Sequence, residues 1–216
     1  RDKAEHLCRF ANLWRTTGDF WDDWNDLYHA FEICHEWEGV GGPGHWPDAD
    51  MLPFGHLAIR ATERGWGERW THFTQDEQIT LMTLWCIFRS PLMVGAELND
   101  NDEFTLNLLT NDEVLALLKD GRNARQVYRE ERYNYAGEVI VWKAEDEAGA
   151  AYCAVFNCGP KARDLAVQLQ STLDLPEGKY AGRDLWAHEE VPVGAHALEV
   201  VVPSHGARLI KLTRAE

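Results

Sequence analysis

The first half of the chain alternates between segments with helical spacing of apolar residues and short apolar runs that are typical of strands. The expected helices cover 2–13, 22–37, 74–88 and 110–119. The expected strands cover 13–17 and 91–95. Two of the helices open on capping boxes, the first from Thr74 to Glu77 and the second from Thr110 to Glu113. Alternating strands and helices predict a parallel sheet with helices packed outside it.

From about residue 123 onward, the pattern changes to runs in which every second residue is apolar. The runs cover 138–142, 151–157, 166–169, 197–202 and 207–212. Gly, Pro, Asp and Ser separate them, as in an antiparallel β-sandwich. We therefore divide the chain into residues 1–120, an α/β part, and residues 121–216, an all-β part that we expect to fold autonomously.

Charge and composition exclude several classes of protein. Of the 216 residues, 21 are Lys or Arg and 36 are Asp or Glu, which gives a formal net charge of -15. With no run of basic residues, the chain is not expected to bind nucleic acid. No stretch of 18 apolar residues is present, so no membrane span is expected. Ten Trp residues favour a neutral polar ligand such as a sugar, although Trp also fills cores.

The five cysteines have irregular spacing and form no Cys-x-x-Cys pair. They are interpreted as small buried hydrophobes, with a bond between Cys153 and Cys158 as the alternative. The spacing predicts no zinc site, and we expect no other metal and no cofactor.

Carboxylates and aromatic residues are concentrated in a first segment. It reads Trp14-Arg15-Thr16-Thr17-Gly18-Asp19-Phe20-Trp21-Asp22-Asp23-Trp24. Asp19 follows a predicted strand, where a β/α barrel carries its catalytic side chains. Neighbouring aromatic rings would remove water from its carboxyl group and favour a proton donor. Asp22 or Asp23 is expected to cap the next helix.

A second such segment is rich in glycine. It reads Gly41-Gly42-Pro43-Gly44-His45-Trp46-Pro47-Asp48-Ala49-Asp50-Met51-Leu52. Of the two aspartates in this segment, Asp48 and Asp50, we expect one to reach a ligand while the other is held inside. A calcium loop is the rival interpretation, but the distal Glu ligand is missing. His45 and His56 flank the two aspartates as weaker candidates.

Together the two segments resemble glycoside hydrolase family 27, the α-galactosidases and α-N-acetylgalactosaminidases. The residues that carry the resemblance are Trp14, Arg15, Gly18, Asp19, Asp22, Trp24, the run from Gly42 to Leu52, Asp76 to Phe88, and Ser90 to Met93 with Leu98. The resemblance implies a fold of the α/β plus all-β class: the C-terminal part of a (β/α)8 TIM barrel followed by an antiparallel β-sandwich.

The resemblance also implies roles for individual residues. Asp19 would be the acid/base of a retaining glycosidase, and Arg15 and Asp50 would hold the sugar hydroxyls. Met51 would contact the substrate as well, and Trp46 would support the site from beside it. Asp48 would be a structural residue of the loop. The expected partner is an α-galactoside or a related oligosaccharide, and the sequence leaves a homodimer open.

The chain departs from the family pattern in two ways. The family's nucleophile lies in a Lys-x-Asp context that has no match here, so we expect a fragment that begins just before the sixth barrel strand and is inactive alone. His45, Pro47 and Ala49 stand where well-known members have Gly, Asn and Pro. This leaves β-L-arabinopyranosides and isomalto-oligosaccharides open as substrates beside α-galactosides.

Two interpretations from other classes remain. One is a non-catalytic carbohydrate-binding protein, which would not need Asp19 and Asp50 together. The other is a purely structural Trp-rich domain, which would give Arg15 and Asp19 no role. The sequence leaves the compartment open between secreted and cytoplasmic.

Overall fold

A computed structural model describes residues 1–60, 67–130 and 137–215. Its first 120 residues contain five α-helices, four short strands and one 3₁₀ helix in the described ranges. In chain order these are α1 (Ala4–Phe10), β1 (Leu13–Arg15), α2 (Trp24–Glu36), β2 (Trp46–Asp48), β3 (His56–Leu57), β4 (Arg69–Trp70), α3 (Gln75–Phe88), the 3₁₀ helix (Leu98–Asp100), α4 (Glu103–Leu109) and α5 (Asp112–Asp120).

Strands β1 and β2 lie parallel, as the alternating pattern predicts. Leu13 pairs with Trp46 and Arg15 pairs with Asp48. The expected strand at 91–95 is wrong, because only an isolated parallel bridge between Leu52 and Val94 forms there. Two backbone hydrogen bonds flank this bridge, and Pro91 has no amide hydrogen with which to extend the pairing.

The helix caps show how local sequence fixes helix starts. The capping box of α3 is confirmed: Thr74 Oγ1 accepts from the Glu77 amide, and Glu77 Oε2 accepts from the Thr74 amide. The second expected box is wrong. Asn111, one residue later than Thr110, caps α5 through the amides of Glu113 and Val114. The Thr110 hydroxyl instead donates to Leu106 O, at the end of the unpredicted helix α4.

The remaining residues form the two sheets of a β-sandwich. Its strands are β5 (Arg122–Arg129), β6 (Val139–Glu145), β7 (Ala151–Asn157), β8 (Arg163–Gln168), β9 (Tyr180–Asp184), β10 (Glu189–Val191), β11 (Ala197–Val202) and β12 (Ala207–Arg214). The larger sheet has the antiparallel order β10-β9-β12-β7-β6-β5, and β8 pairs with β11 in the second sheet. The fold expected from the sequence is therefore confirmed.

The central strands β6 and β7 are buried on both faces. One face packs against the β8–β11 sheet, with Val141 and Val155 in that core. The other face joins a core shared with the helices of the first 120 residues. In that shared core, Phe31 meets Phe156 edge-on at 4.9 Å between ring centroids. The sandwich therefore shares one of its two cores with the helices of the first 120 residues.

All five cysteines are free, so the alternative of a Cys153–Cys158 bond is wrong. The two residues lie in different cores, Cys153 between the two sheets and Cys158 on the helix side. Burial raises the pKa of the Cys153 thiol to about 12, which makes it inert. Within residues 1–60, 67–130 and 137–215, every helix is too short or too polar to cross a membrane.

Candidate active site

The carboxyl ends of β1 and β2 bring the two candidate segments together. Because the strands are parallel, the residues that follow them emerge at the same edge of the sheet. Arg15, the last residue of β1, spans the gap between them. Its Nη2 lies 2.7 Å from Asp50 Oδ2 and 3.7 Å from Asp19 Oδ1. Arg15, Asp19 and Asp50 therefore form one cluster at this edge.

Hydrogen bonds hold both the side chain and the backbone of Asp50. Its Oδ2 accepts from Arg15 and, at 2.7 Å, from the Phe20 amide, while its carbonyl accepts from Trp85 Nε1 at 2.9 Å. Its backbone has a φ of 87°, a left-handed conformation that is unfavourable for a residue with a side chain. Strained backbone of this kind is found at ligand sites, where the surrounding contacts maintain it.

Asp48 lies beneath this cluster and is almost fully buried. Its Oδ1 accepts from the Asp50 amide at 2.8 Å, and its carbonyl accepts from the Thr16 amide and hydroxyl. Burial raises the pKa of the Asp48 carboxyl, which the hydrogen bond from the Asp50 amide and the charge of Arg15 oppose. Its hydrogen bond to the Asp50 amide holds the left-handed turn at Asp50.

The surroundings of Asp19 differ from those that the sequence predicts. Its side chain is 82% exposed, so the expected removal of water by neighbouring rings is wrong for this chain. The reason is the direction of Phe20, whose ring turns into the core and packs 5.1 Å from Trp85 and 6.2 Å from Phe73. The Asp19 carboxyl group is therefore accessible at the carboxyl edge of β1 and β2.

The structure separates Trp46 from this cluster. Trp46 begins β2 level with Leu13, at the amino end of the parallel pair, whereas Asp19 and Asp50 follow the carboxyl ends. Its ring packs under the guanidinium of Arg89, 4.6 Å from ring centroid to Cζ. Trp46 therefore supports the strand and does not face a ligand at the carboxyl edge.

The other candidates occupy different places. Met51 follows Asp50, and its side chain packs so closely on Gly95 that it would have to move to admit a β-carbon there. His45 pairs its backbone with Gly42 in the glycine-rich loop. His56 lies in the β3–β4 hairpin, where its Nδ1 meets Asp100 at 2.8 Å and its Nε2 meets Glu68 at 3.0 Å.

Sequence reasoning missed an ion pair beside the cluster. Asp23 caps α2 through the Asn25 amide, which leaves Asp22 to bind Arg69 in β4. Burial raises the pKa of the Asp22 carboxyl, but hydrogen bonds from Arg69 and the His72 amide outweigh this and lower it overall. No signal in the sequence connects two residues that lie 47 positions apart.

In the part of the chain that the structure describes, no three His, Cys, Asp or Glu side chains are arranged to hold a metal ion.

Comparison with known proteins identifies the family. The family model described as "Alpha galactosidase A" matches residues 2–120, more than half of the chain. The chain belongs to the α-galactosidase family. A second model, the α-galactosidase C-terminal β-sandwich domain, matches residues 136–212. The resemblance to glycoside hydrolase family 27 is confirmed, and so is the architecture it implied, the C-terminal part of a TIM barrel followed by an antiparallel β-sandwich.

Relatives of this family member include several glycosidases. "Alpha-galactosidase 2" of Arabidopsis thaliana is 26% identical over 215 residues, covering 99% of this chain and 49% of the relative. The crystal structure of a family 27 β-L-arabinopyranosidase from Geobacillus stearothermophilus is 47% identical with a TM-score of 0.91, covering 99% of this chain and 47% of that one. A protein from Bacillus halodurans C-125, described as a putative α-N-acetylgalactosaminidase, is 39% identical with a TM-score of 0.81, covering 92% and 46%. The chain thus spans about half the length of these relatives.

Proposed function

We propose that this chain is part of a retaining glycoside hydrolase that releases a terminal pyranose of the galacto configuration. The single observation that carries the proposal is the cluster at the carboxyl edge, in which Arg15 contacts both Asp19 and Asp50. The cluster combines an exposed carboxyl group for proton transfer with a fixed carboxylate–guanidinium pair for binding hydroxyl groups.

Asp50 and Arg15 are assigned to the sugar. The Asp50 carboxylate has oxygen lone pairs beyond those used by Arg15 and the Phe20 amide, so it can accept from sugar hydroxyls. The Arg15 guanidinium presents several donors in a fixed plane, which suits the oxygen atoms of a pyranose. Because both groups are already fixed, little rotamer entropy is lost when the sugar binds.

Asp19 is assigned as the acid/base. It would protonate the glycosidic oxygen as the leaving group departs, and would later deprotonate the attacking water. A retaining mechanism needs a second carboxylate about 5 Å away as the nucleophile. Asp48 is buried and Asp50 is held by Arg15, so we assign the nucleophile to a segment outside this chain. We further propose that residues 1–216 alone hydrolyse no glycoside.

Sequence identity to the relatives favours β-L-arabinopyranosides over α-D-galactosides as substrates. A β-L-arabinopyranoside has the ring configuration of an α-D-galactopyranoside and lacks its hydroxymethyl group. The chain is 47% identical to the family 27 β-L-arabinopyranosidase and 26% identical to the Arabidopsis α-galactosidase. We therefore propose β-L-arabinopyranosides as the preferred substrates and α-D-galactosides as the second candidate.

The proposal is tested with the complete enzyme, meaning this chain together with the barrel strands that we propose precede it. p-Nitrophenyl β-L-arabinopyranoside and p-nitrophenyl α-D-galactopyranoside are assayed side by side, and NMR identifies the first anomer released. We expect hydrolysis with retained configuration and a higher kcat/KM for the arabinoside. Binding of both sugars without release of nitrophenol would support a non-catalytic carbohydrate-binding protein instead. Turnover by residues 1–216 alone would refute the assignment of the nucleophile to a segment outside this chain.

A further inference from the structure

A buried ion pair joins the segment that carries Asp19 to the β3–β4 hairpin. Asp22 Oδ1 lies 2.5 Å from Arg69 Nη2, and Asp22 Oδ2 lies 3.1 Å from Arg69 Nε. The side chains are only 2% and 13% exposed, respectively. The pair is therefore a bidentate contact shielded from solvent, the strongest form of Arg–carboxylate interaction.

The pair is well satisfied by its surroundings. Asp22 Oδ2 also accepts from the His72 amide at 2.9 Å, and His72 Nδ1 lies 3.2 Å away. The Arg69 guanidinium lies over the ring of Trp21, 5.8 Å from Cζ to the ring centroid. Arg69 thus holds two consecutive residues, Trp21 and Asp22, through a charge and through a ring.

Asp19 depends on its backbone for its position. Its side chain is largely exposed, and Arg15 Nη2 approaches it only to 3.7 Å, beyond hydrogen-bond distance. Hydrogen bonds hold the backbone on both sides of Asp19: Arg15 donates to the Gly18 carbonyl, the Phe20 amide donates to Asp50, and the Trp21 amide donates to Asp26. Further along the segment, Asp22 binds Arg69. The Asp22–Arg69 pair is the buried, bidentate contact of this segment, so its loss would loosen the residues from Asp19 to Asp22.

We propose that Arg69 is a positioning residue for Asp19, which it holds in place through Asp22 and Trp21. This inference rests on the proposed function, in which Asp19 donates a proton to the leaving group. Arg69 touches neither the sugar nor the glycosidic oxygen in this role. Its loss would misplace the proton donor while the Arg15–Asp50 pair continues to bind the sugar.

Leaving-group dependence distinguishes this role from a general structural one. Departure of dinitrophenolate needs little protonation, whereas departure of phenolate depends on the acid. For Arg69→Met in the complete enzyme, kcat/KM for phenyl glycosides is expected to fall by on the order of 10- to 100-fold. For the dinitrophenyl glycoside we expect a change of about threefold or less. Arg69→Lys keeps the charge without the bidentate contact and is expected to lie in between.

Two further variants keep the test decisive. Arg69→Met leaves the Asp22 carboxylate buried without its partner, so Asp22→Asn, which keeps the side-chain volume, is measured as well. The matched control is Arg183→Met, because Arg183 makes the same bidentate contact with Glu113 between β9 and α5. We expect the control to leave the leaving-group dependence unchanged.

The outcomes separate the inference from the function on which it rests. A steeper leaving-group dependence in both Arg69→Met and Asp22→Asn supports the positioning role. The positioning role is overturned if these variants lose the same kcat/KM on every leaving group, or lose none, while the wild-type enzyme still turns over. A wild-type complete enzyme that hydrolyses no arabinoside or galactoside refutes the proposed function itself.

Discussion

The guanidinium of Arg15 lies 2.7 Å from the carboxylate of Asp50 and so connects the ends of two parallel strands. The two residues are 35 positions apart in the chain. The parallel register places Arg15 opposite Asp48, two residues before Asp50. The left-handed turn at Asp50 then brings its carboxylate back over Arg15. The geometry of the cluster follows from strand register and one unusual backbone angle.

Replacing Asp50 by Asn tests the assignment of this pair to the sugar. Asn has nearly the same size and tolerates the left-handed backbone, but it carries no charge. Because a hydrogen bond to a charged group contributes about 1.5–3 kcal/mol, we expect kcat/KM of the complete enzyme to fall roughly 10- to 100-fold. Asp164→Asn, at an exposed position of β8, is the control and should change kcat/KM less than about threefold. An unchanged kcat/KM in Asp50→Asn would remove Asp50 from the sugar site.

Phe156→Ala tests the core that the sandwich shares with the helices. Phe156 is fully buried and packs edge-on against Phe31. Its removal is expected to lower the free energy of unfolding by about 3–5 kcal/mol. Denaturation followed by tryptophan fluorescence and by circular dichroism should show one common transition, because both parts depend on the same core. Val201→Ala, at an exposed position of β11, should change the free energy by less than about 0.5 kcal/mol. Separate transitions for the two parts would contradict the shared core.

Glu113 is expected to make stability depend on acid pH. Hydrogen bonds from Arg183 lower the pKa of Glu113 to about 2, with burial opposing and His188 adding to the effect. The pKa is lower in the folded than in the unfolded state, so this contribution is complete above the unfolded value and is lost as the pH falls towards 2. Glu113→Gln should therefore flatten the decline in the free energy of unfolding between about pH 5 and pH 2. The control is Glu199→Gln, on an exposed position of β11, and an identical slope in both variants would contradict the assignment.

Local signals in the sequence predicted much of the fold. The box at Thr74 and Glu77 fixes the start of α3, because both of its hydrogen bonds are made within four residues. Strands β7 and β11 were predicted with correct ends because their patterns are continuous. Strands β5, β9 and β10 were missed, since they are half-exposed and contain several charged residues.

Long-range contacts explain what the sequence could not predict. The helix-side core around Phe156 could not be predicted, because a strand that is apolar on both faces does not show which elements cover each face. The inward turn of Phe20 depends on Phe73 and Trp85, more than 50 residues away in the chain. Asp22 could be assigned to a helix cap or to an ion pair, and only the position of Arg69 decides between them.

The role of Asp19 is the central claim, and chemical rescue of Asp19→Ala in the complete enzyme tests it most directly. This variant lacks the proton donor but keeps the nucleophile, so an activated aryl glycoside should form the glycosyl-enzyme and then stall. Azide attacks without needing a base, and its addition should restore turnover. The account predicts a glycosyl azide that retains the anomeric configuration of the substrate, as determined by NMR. An azide of inverted configuration would make Asp19 the nucleophile, and unimpaired hydrolysis without azide would exclude it from the reaction.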